Sequence, residues 1–141
     1  MFNKILLPTD GSEYSMRAAR FVLELLRENP NRHVTVLKVY RILPEFAVID
    51  TPETDIVDTI AKGAHIIAEN TAQIFRDAGF EVETDYCTGD PGREICRYAK
   101  KYNFDHIVIG HRGAGSLSEI VFGSVARRVV KMAPCSVTVV K

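Results

Sequence analysis

Residues 107–125 read IVIGHRGAGSLSEIVFGSV and predict a ligand-binding turn at the end of a buried strand. An apolar run, His106 to Ile109, stops at Gly110, and Gly113 and Gly115 follow closely. A strand, a glycine-rich turn and a helix start gather free backbone N–H groups where an anion can sit. Glycine suits such a turn because it accepts positive φ and lets a phosphate approach the main chain.

The rest of the chain alternates strand-like and helix-like segments. Strands are predicted at residues 4–8, 33–39, 81–87, 106–109 and 136–140, and helices at 13–28, 54–78, 92–102 and 118–132. Regular alternation calls for a parallel sheet with helices on both faces and right-handed crossovers. We therefore predict an α/β fold with an open, parallel five-stranded sheet, in a single domain over residues 1–141.

The composition is that of a globular protein, with 46% hydrophobic and 26% charged residues. Lys+Arg and Asp+Glu both number 18, a balance that disfavours a general binder of nucleic acid or anionic membranes without excluding a local basic patch. Apolar runs are too short to span a bilayer, and the N-terminal sequence does not read as a secretory signal. Three cysteines without metal-like spacing predict reduced thiols in a cytoplasmic protein.

Two predicted turns stand where ligands bind in open α/β sheets, beyond the carboxyl ends of strands at the point where strand order reverses. One turn, residues 8–12, follows the first strand, and the other, residues 110–116, follows the fourth. If these strands are neighbours at the reversal, their turns face each other across one crevice.

Familiar phosphate-binding motifs do not fit the second turn. Gly110 and Gly115 have the spacing of the two P-loop glycines, but Ser116-Leu117 stands where Lys-Ser/Thr is required. Residues 113–118 lack the third glycine of a dinucleotide fingerprint and do not follow the first strand. What the sequence does contain is Gly110 and Gly113, then nine residues, then Gly123-Ser124.

This glycine spacing, together with PTDGS at residues 8–12, resembles the nucleotide-binding branch of the universal stress protein family. The resemblance covers the whole chain, from ILLPTDGSEYS through LKVY and VIGHRG to APCSVTVVK. It implies a Rossmann-like sheet of the adenine nucleotide alpha hydrolase type, in strand order 3-2-1-4-5. It also implies ATP or another adenine nucleotide, ADP or AMP, in the crevice.

The resemblance also implies which residues contact the nucleotide. Val39 would touch the adenine, and Gly123 would begin a helix whose free amides bind phosphate. Carried over by position, the binding residues are Pro8, Thr9, Asp10, Val39, Gly110, Arg112, Gly113, Gly123, Ser124 and Val125. Because Asp10 repels phosphate unless a cation intervenes, we assign it to Mg²⁺ coordination or to a ribose contact.

Simpler roles remain open for several of these residues. Asp10, taken alone, is expected to cap the first helix together with Ser12. Gly123 would serve equally to allow close packing, and Arg112 and His111 would serve as solvated loop residues. His111 and the segment at residues 40–53 are left without a role.

The function implied by the resemblance is a homodimeric stress-response or signalling module that binds ATP. The alternatives are a weak ATP hydrolase, for which no catalytic residue is evident, and a structural dimer that no longer binds nucleotide. The fifth strand, Ser136 to Val140, is apolar and is predicted at an edge of the sheet, where unpaired strands invite pairing. In the resembling family this strand pairs antiparallel with its twin.

Overall fold

A computed structural model describes residues 2–41, 53–113 and 122–141. Its strands and helices alternate along the chain as the sequence predicts. They are β1 (Lys4–Pro8), α1 (Glu13–Glu28), β2 (His33–Tyr40), α2 (Glu53–Asp77), β3 (Glu83–Thr88), α3 (Pro91–Lys101), β4 (His106–Gly110), α4 (Ser124–Met132) and β5 (Ser136–Val140). The predicted bounds differ from these by one or two residues except at α4.

The sheet has the order β3-β2-β1-β4-β5, and every recorded strand pair is parallel. The implied order and the edge positions of β3 and β5 are therefore confirmed. The paired residues of β1 and β4 end at Leu6 and Ile107, before the carboxyl ends of the two strands. A crevice opens beyond that point, where β1 has β2 on one side and β4 on the other.

Apolar side chains fill both faces of the sheet, as expected for strands buried between helical layers. One core lies under α1 and α2 and includes Ile5, Leu7 and Phe75. The other lies under α3 and α4 and includes Leu6 and Ile107. Consecutive residues of β1 thus serve opposite cores, and residues 5–7 have no exposed surface.

Helical spacing predicts an apolar stripe on α1 at Ala18, Phe21, Val22, Leu25 and Leu26. This stripe is wrong at Phe21, which remains 40% exposed. The other members of the predicted stripe are buried or partly buried, and the buried face turns instead towards Ala19 and Leu23. Helical spacing identified the apolar side of α1, and packing against the sheet determined which residues on that side are buried.

The helix predicted from Ser118 to Met132, with an interruption at Gly123-Ser124, is confirmed only from that interruption onwards. Its first residues lie outside the described part of the chain, but Phe122 and Gly123 are not helical and α4 begins at Ser124. Gly123 is extended, with φ −59° and ψ 145°, and its amide donates to the carbonyl of His111 at 2.9 Å. This bond to the turn after β4 replaces a helical bond and sets the helix start. Residues 42–52 of the connection predicted at 40–53, and residues 114–116 of the turn predicted at 110–116, also lie outside the described residues.

All three cysteines are free thiols, as expected: Cys96 is buried, and Cys87 and Cys135 are partly buried. Burial raises the pKa of the Cys87 thiol to about 11, so this side chain stays protonated at neutral pH. Within the described residues, no helix combines the length and the apolar content needed to cross a membrane.

Candidate nucleotide-binding cleft

A cleft of about 800 Å³ lies above the carboxyl ends of β1, β2 and β4. The structure brings all ten predicted binding residues to its wall: Pro8, Thr9, Asp10, Val39, Gly110, Arg112, Gly113, Gly123, Ser124 and Val125. They come from widely separated parts of the sequence and meet because the strand order reverses beside β1. Their contacts with a ligand remain predictions.

The turn after β1 is held by its own polar side chains. The Thr9 amide donates to the carbonyl of Leu37 at 2.9 Å, and the Thr9 hydroxyl lies 2.8 Å from that of Thr71 on α2. One carboxylate oxygen of Asp10 accepts from the Ser12 amide at 2.9 Å and from the Ser15 hydroxyl at 2.7 Å. The local role predicted for Asp10 at the start of α1 is thus present. Ser12 is the N-cap of α1 and accepts from the Ser15 amide.

The turn after β4 is shaped by close packing at its glycines. A Cβ on Gly110 would lie 2.7 Å from the carbonyl carbon of Tyr14 in the backbone of α1. Gly110 therefore has a packing role whether or not a ligand binds. A Cβ on Gly113 would lie 2.7 Å from Oδ2 of Asp10, so this residue stands directly against the turn after β1. The two turns therefore meet above the middle of the sheet.

Gly123 connects the start of α4 to the same turn. A Cβ there would lie 3.0 Å from the carbonyl oxygen of His111 and 3.1 Å from Cα of Arg112. Such contacts are tighter than a β-carbon normally makes, so glycine allows α4 to begin beside the turn. The close-packing role considered for Gly123 is real, although the glycine packs against a loop rather than between helix and sheet.

The first turn of α4 lacks a side-chain cap. Its N-cap is Gly123, which has no side chain to accept a hydrogen bond, and among the described residues no side chain caps this helix start. The first N–H groups of any α-helix have no partner within the helix, and they carry partial positive charge. Ser124, Val125 and Ala126 line the cleft, so this helix start presents donors suited to an anion.

The sequence and the fold can both be compared with known proteins. A model of the Universal stress protein family matches residues 1–141. The chain belongs to this family. The resemblance carried by the glycine spacing and the PTDGS turn is confirmed at the level of the family.

Individual universal stress proteins agree with this assignment. The chain is 31% identical to YxiE of Bacillus subtilis (strain 168), with all of both chains covered. The solved structure of MJ0577, a protein of Methanocaldococcus jannaschii, matches with a TM-score of 0.85 and 32% identity over 100% of this chain and 96% of that one. A family member from Arabidopsis thaliana, solved with AMP bound, has the same fold, with a TM-score of 0.72 and 22% identity over 99% of this chain and 91% of that one.

Arg112 lies against α1 in this universal stress protein rather than projecting into solvent. Its guanidinium carbon is 4.6 Å from the centre of the Tyr14 ring, and one Nη donates to the Tyr14 hydroxyl. Arg17 approaches the same ring at 4.8 Å. Arg112 remains part of the cleft wall, so its charge lies near the predicted phosphate position.

Two basic residues of the cleft wall were missed by the sequence analysis. Lys38 on β2 and Arg41 just beyond it both line the cleft. Burial lowers the pKa of the Lys38 ammonium below its ordinary value, whereas the negative charge of Asp10 acts in the opposite direction. Lys38 is a charged residue between apolar residues of a predicted strand, and this pattern could have identified it as a candidate cleft residue. Arg41 had no comparable signal.

Asp90 organises the rim of the cleft beside α3. Its carboxylate accepts from the Arg93 amide at 3.3 Å and caps α3. The same carboxylate pairs with Arg41 at 3.0 Å and with Arg128 of α4 at 2.9 Å. These ion pairs connect the end of β2 to α3 and α4, on one face of the sheet.

The predicted magnesium role of Asp10 can be tested against the donors present. Within the described residues, no group of three His, Cys, Asp or Glu side chains is placed to hold a metal ion. Asp10 supplies one carboxylate at the cleft, and Mg²⁺ in nucleotide sites is commonly held by one or two carboxylates together with the ligand's phosphates. The Asp10 carboxylate therefore fits a Mg²⁺ ion that binds together with a nucleotide. Within the described residues, protein side chains alone do not provide a full set of metal ligands.

Proposed function

We propose that this universal stress protein binds an adenine nucleotide, ATP foremost, in the cleft between the turns after β1 and β4. It would act as a cytoplasmic homodimer in stress response or signalling. Support comes from the convergence of ten predicted contact residues on one wall, and from the AMP bound in an Arabidopsis relative of the same fold. The observation that carries the proposal is the uncapped start of α4 opposite the Asp10 turn.

Each part of a nucleotide has a matching surface in this arrangement. Val39 and its apolar neighbours Leu37 and Ile95 suit the adenine ring. Asp10 suits a ribose hydroxyl, because a carboxylate accepts hydrogen bonds from hydroxyl groups. The amides of Ser124 and Val125 suit a phosphate, since a helix N-terminus favours negative charge.

We further propose that a divalent cation joins Asp10 to the phosphates. Magnesium would neutralise part of the triphosphate charge and so relieve the repulsion between Asp10 and the phosphates. Calorimetry of ATP binding in Mg²⁺ and in EDTA tests this role. Tighter binding in Mg²⁺ that is lost in Asp10→Asn is expected, whereas equal affinities in both buffers would contradict it.

The test of nucleotide binding uses the purified chain. We expect an adenine nucleotide among the small molecules released on denaturation, and measurable heat when ATP or AMP is titrated into protein freed of its ligand. Guanosine triphosphate is the control, since it has the same phosphates with a different base. No released nucleotide together with no heat from any adenine nucleotide would reject the proposal.

The homodimer would form through β5. This strand lies at the sheet edge, and Val137 and Val139 are partly exposed in the single chain. Val130 and Met132, at the end of α4 just before β5, are 50% and 51% exposed. An apolar strand at an open edge favours pairing with a second copy. Removing residues 137–141 should yield monomers by light scattering, and an unchanged dimer would contradict this interface.

A further inference from the structure

The balanced charge of the chain conceals a strong asymmetry between its two helical layers. Helices α3 and α4 contain seven of the 18 Lys and Arg residues and one acidic residue, Glu94. Because the whole chain has equal numbers of basic and acidic residues, the remainder carries six more acidic than basic residues. Exposed charges more than about 8 Å apart are largely screened at physiological salt. The local excess of positive charge on α3 and α4, and not the net charge of the whole chain, therefore governs which ligands this layer attracts.

The basic residues of α3 form a stripe on its outer side. Arg93, Arg97 and Lys100 are exposed and stand at positions i, i+4 and i+7, which share one side of a helix. The opposite side of α3 is buried against the sheet. With a rise of about 1.5 Å per residue, the stripe through Lys101 is about 12 Å long.

Helix α4 continues this surface, because α3 and α4 cover the same core. Arg127 and Lys131 are exposed and stand at i and i+4. The two helices pack closely, since a Cβ on Gly92 would lie 2.7 Å from the Arg128 side chain. We call the combined surface the basic face and define it by six exposed residues: Arg93, Arg97, Lys100, Lys101, Arg127 and Lys131.

Few carboxylates neutralise the basic face. Arg97 pairs with Glu94 at 3.2 Å, and this is the one ion pair recorded for the six residues within the described parts of the chain. Arg128 is excluded from the basic face because its guanidinium is held by Asp90. Among the described residues, five of the six cations therefore have no recorded carboxylate partner that would explain their clustering on one side of the sheet.

We propose that the basic face docks a short acidic segment of a partner protein, an acidic helix being the best geometric match. Carboxylates at i, i+4 and i+7 of such a helix repeat the spacing of Arg93, Arg97 and Lys100. The stripe on α3 is about 12 Å long, and the rest of the chain has an acidic excess. A long nucleic acid or a membrane surface would extend beyond the patch and meet that excess. A short acidic segment would contact only the positive charges of the basic face.

This surface is separate from the nucleotide cleft, since none of its six residues lines that cleft. The proposal therefore stands even if the cleft binds no nucleotide. A universal stress protein with both features would hold a ligand above the sheet and a protein partner on the α3–α4 layer.

The test measures binding of a labelled acidic peptide by fluorescence anisotropy. The peptide has about 12 residues with glutamates at i, i+4 and i+7, and its glutamine counterpart is the neutral control. We expect saturable binding of the glutamate peptide that weakens as salt rises from about 50 to 300 mM, because salt screens exposed charge. The triple variant Arg93→Glu, Arg97→Glu, Lys100→Glu should bind at least about tenfold more weakly.

A matched variant separates the basic face from net charge. Arg20→Glu, Arg27→Glu and Lys62→Glu make the same charge change at exposed positions of α1 and α2, on the other side of the sheet. The peptide affinity of this variant should change less than about threefold. Equal losses in both variants, or no peptide binding by the original chain, would overturn the proposal. Tighter binding of single-stranded RNA or phosphatidylserine vesicles than of the peptide would also overturn it, in favour of that class of partner.

Discussion

Helices α3 and α4 both begin at the rim of the same cleft, and their first turns are built differently. Asp90 caps α3 with its carboxylate, and Pro91 occupies the first helical position. Gly123 precedes α4 and provides no side-chain cap. The start of α3 is capped within the protein, whereas no side chain of the described residues caps the start of α4, where we propose that the first amides bind a phosphate.

The contrast between the starts of α3 and α4 has a functional meaning only if phosphate binds in the cleft beside α4. Gly113→Val would set a side chain against Asp10, because a Cβ there lies 2.7 Å from Oδ2. The two methyl groups would fill the space between the turns, and ATP affinity should fall by about 1000-fold or more, which corresponds to about 4 kcal/mol. Calorimetry measures the loss. Gly63→Val on the exposed surface of α2 is the control, since no atom lies within 4 Å of its Cβ. Normal ATP binding by Gly113→Val would show that the phosphates lie elsewhere.

A second change makes the start of α4 resemble that of α3. In Gly123→Asp, a carboxylate at the N-cap would accept from the free amides and repel phosphate. We expect a loss of ATP affinity of about 100-fold. Gly123→Asn introduces nearly the same shape without charge, including the close contact at 3.0 Å with His111, and should lose less. If the aspartate and asparagine variants bind equally, charge at this helix start is not important.

The third change removes one donor and leaves the helix intact. Ser124→Pro places proline at the first helical position, where helices accept it and where α3 already has Pro91. Loss of an amide that bonds a charged phosphate should weaken ATP binding about tenfold or more. Ser124→Ala, which removes only the hydroxyl, is the matched control. Unchanged affinity in the proline variant would exclude this amide as a phosphate ligand.

The smallest effect on affinity is expected at α3. Asp90→Ala removes a helix cap and two exposed ion pairs, so the free energy of unfolding should fall by about 1–3 kcal/mol. ATP affinity should change less than about threefold, because this helix start does not hold the ligand. Urea unfolding and calorimetry on the same samples measure the two quantities. A large loss of affinity without a loss of stability would reverse the roles assigned to the two helices.

Much of this architecture could be predicted from local patterns. Strands such as β2 were evident because apolar and β-branched residues are continuous where both faces of a sheet are buried. The start of α1 was evident because Ser12 is a good N-cap. The ten candidate contact residues were carried over by position from the family resemblance, and the topology brings them together because the strand order reverses beside β1.

Other features depend on neighbours distant in sequence and could not be predicted. The resemblance implied a helix start at Gly123 but not the bond from its amide to His111, and the position of Arg112 depends on Tyr14 of α1. Phe21 fits the helical period of α1 but stays exposed because the sheet covers a different arc. In each case the deciding partner belongs to another element, so local spacing carries no information about it.

The amino-acid sequence by itself determined the alternation of strands and helices and which residue types could surround an anion, because these follow from periodicity and local turn chemistry. Its glycine spacing and PTDGS turn also carried the resemblance to the family. Only the tertiary structure decided that Gly113 abuts Asp10, that α4 starts uncapped beside the cleft, and that the cations of α3 and α4 share one face. These features depend on how strands and helices pack against one another. The residues in contact are distant in the sequence and meet only when the chain folds.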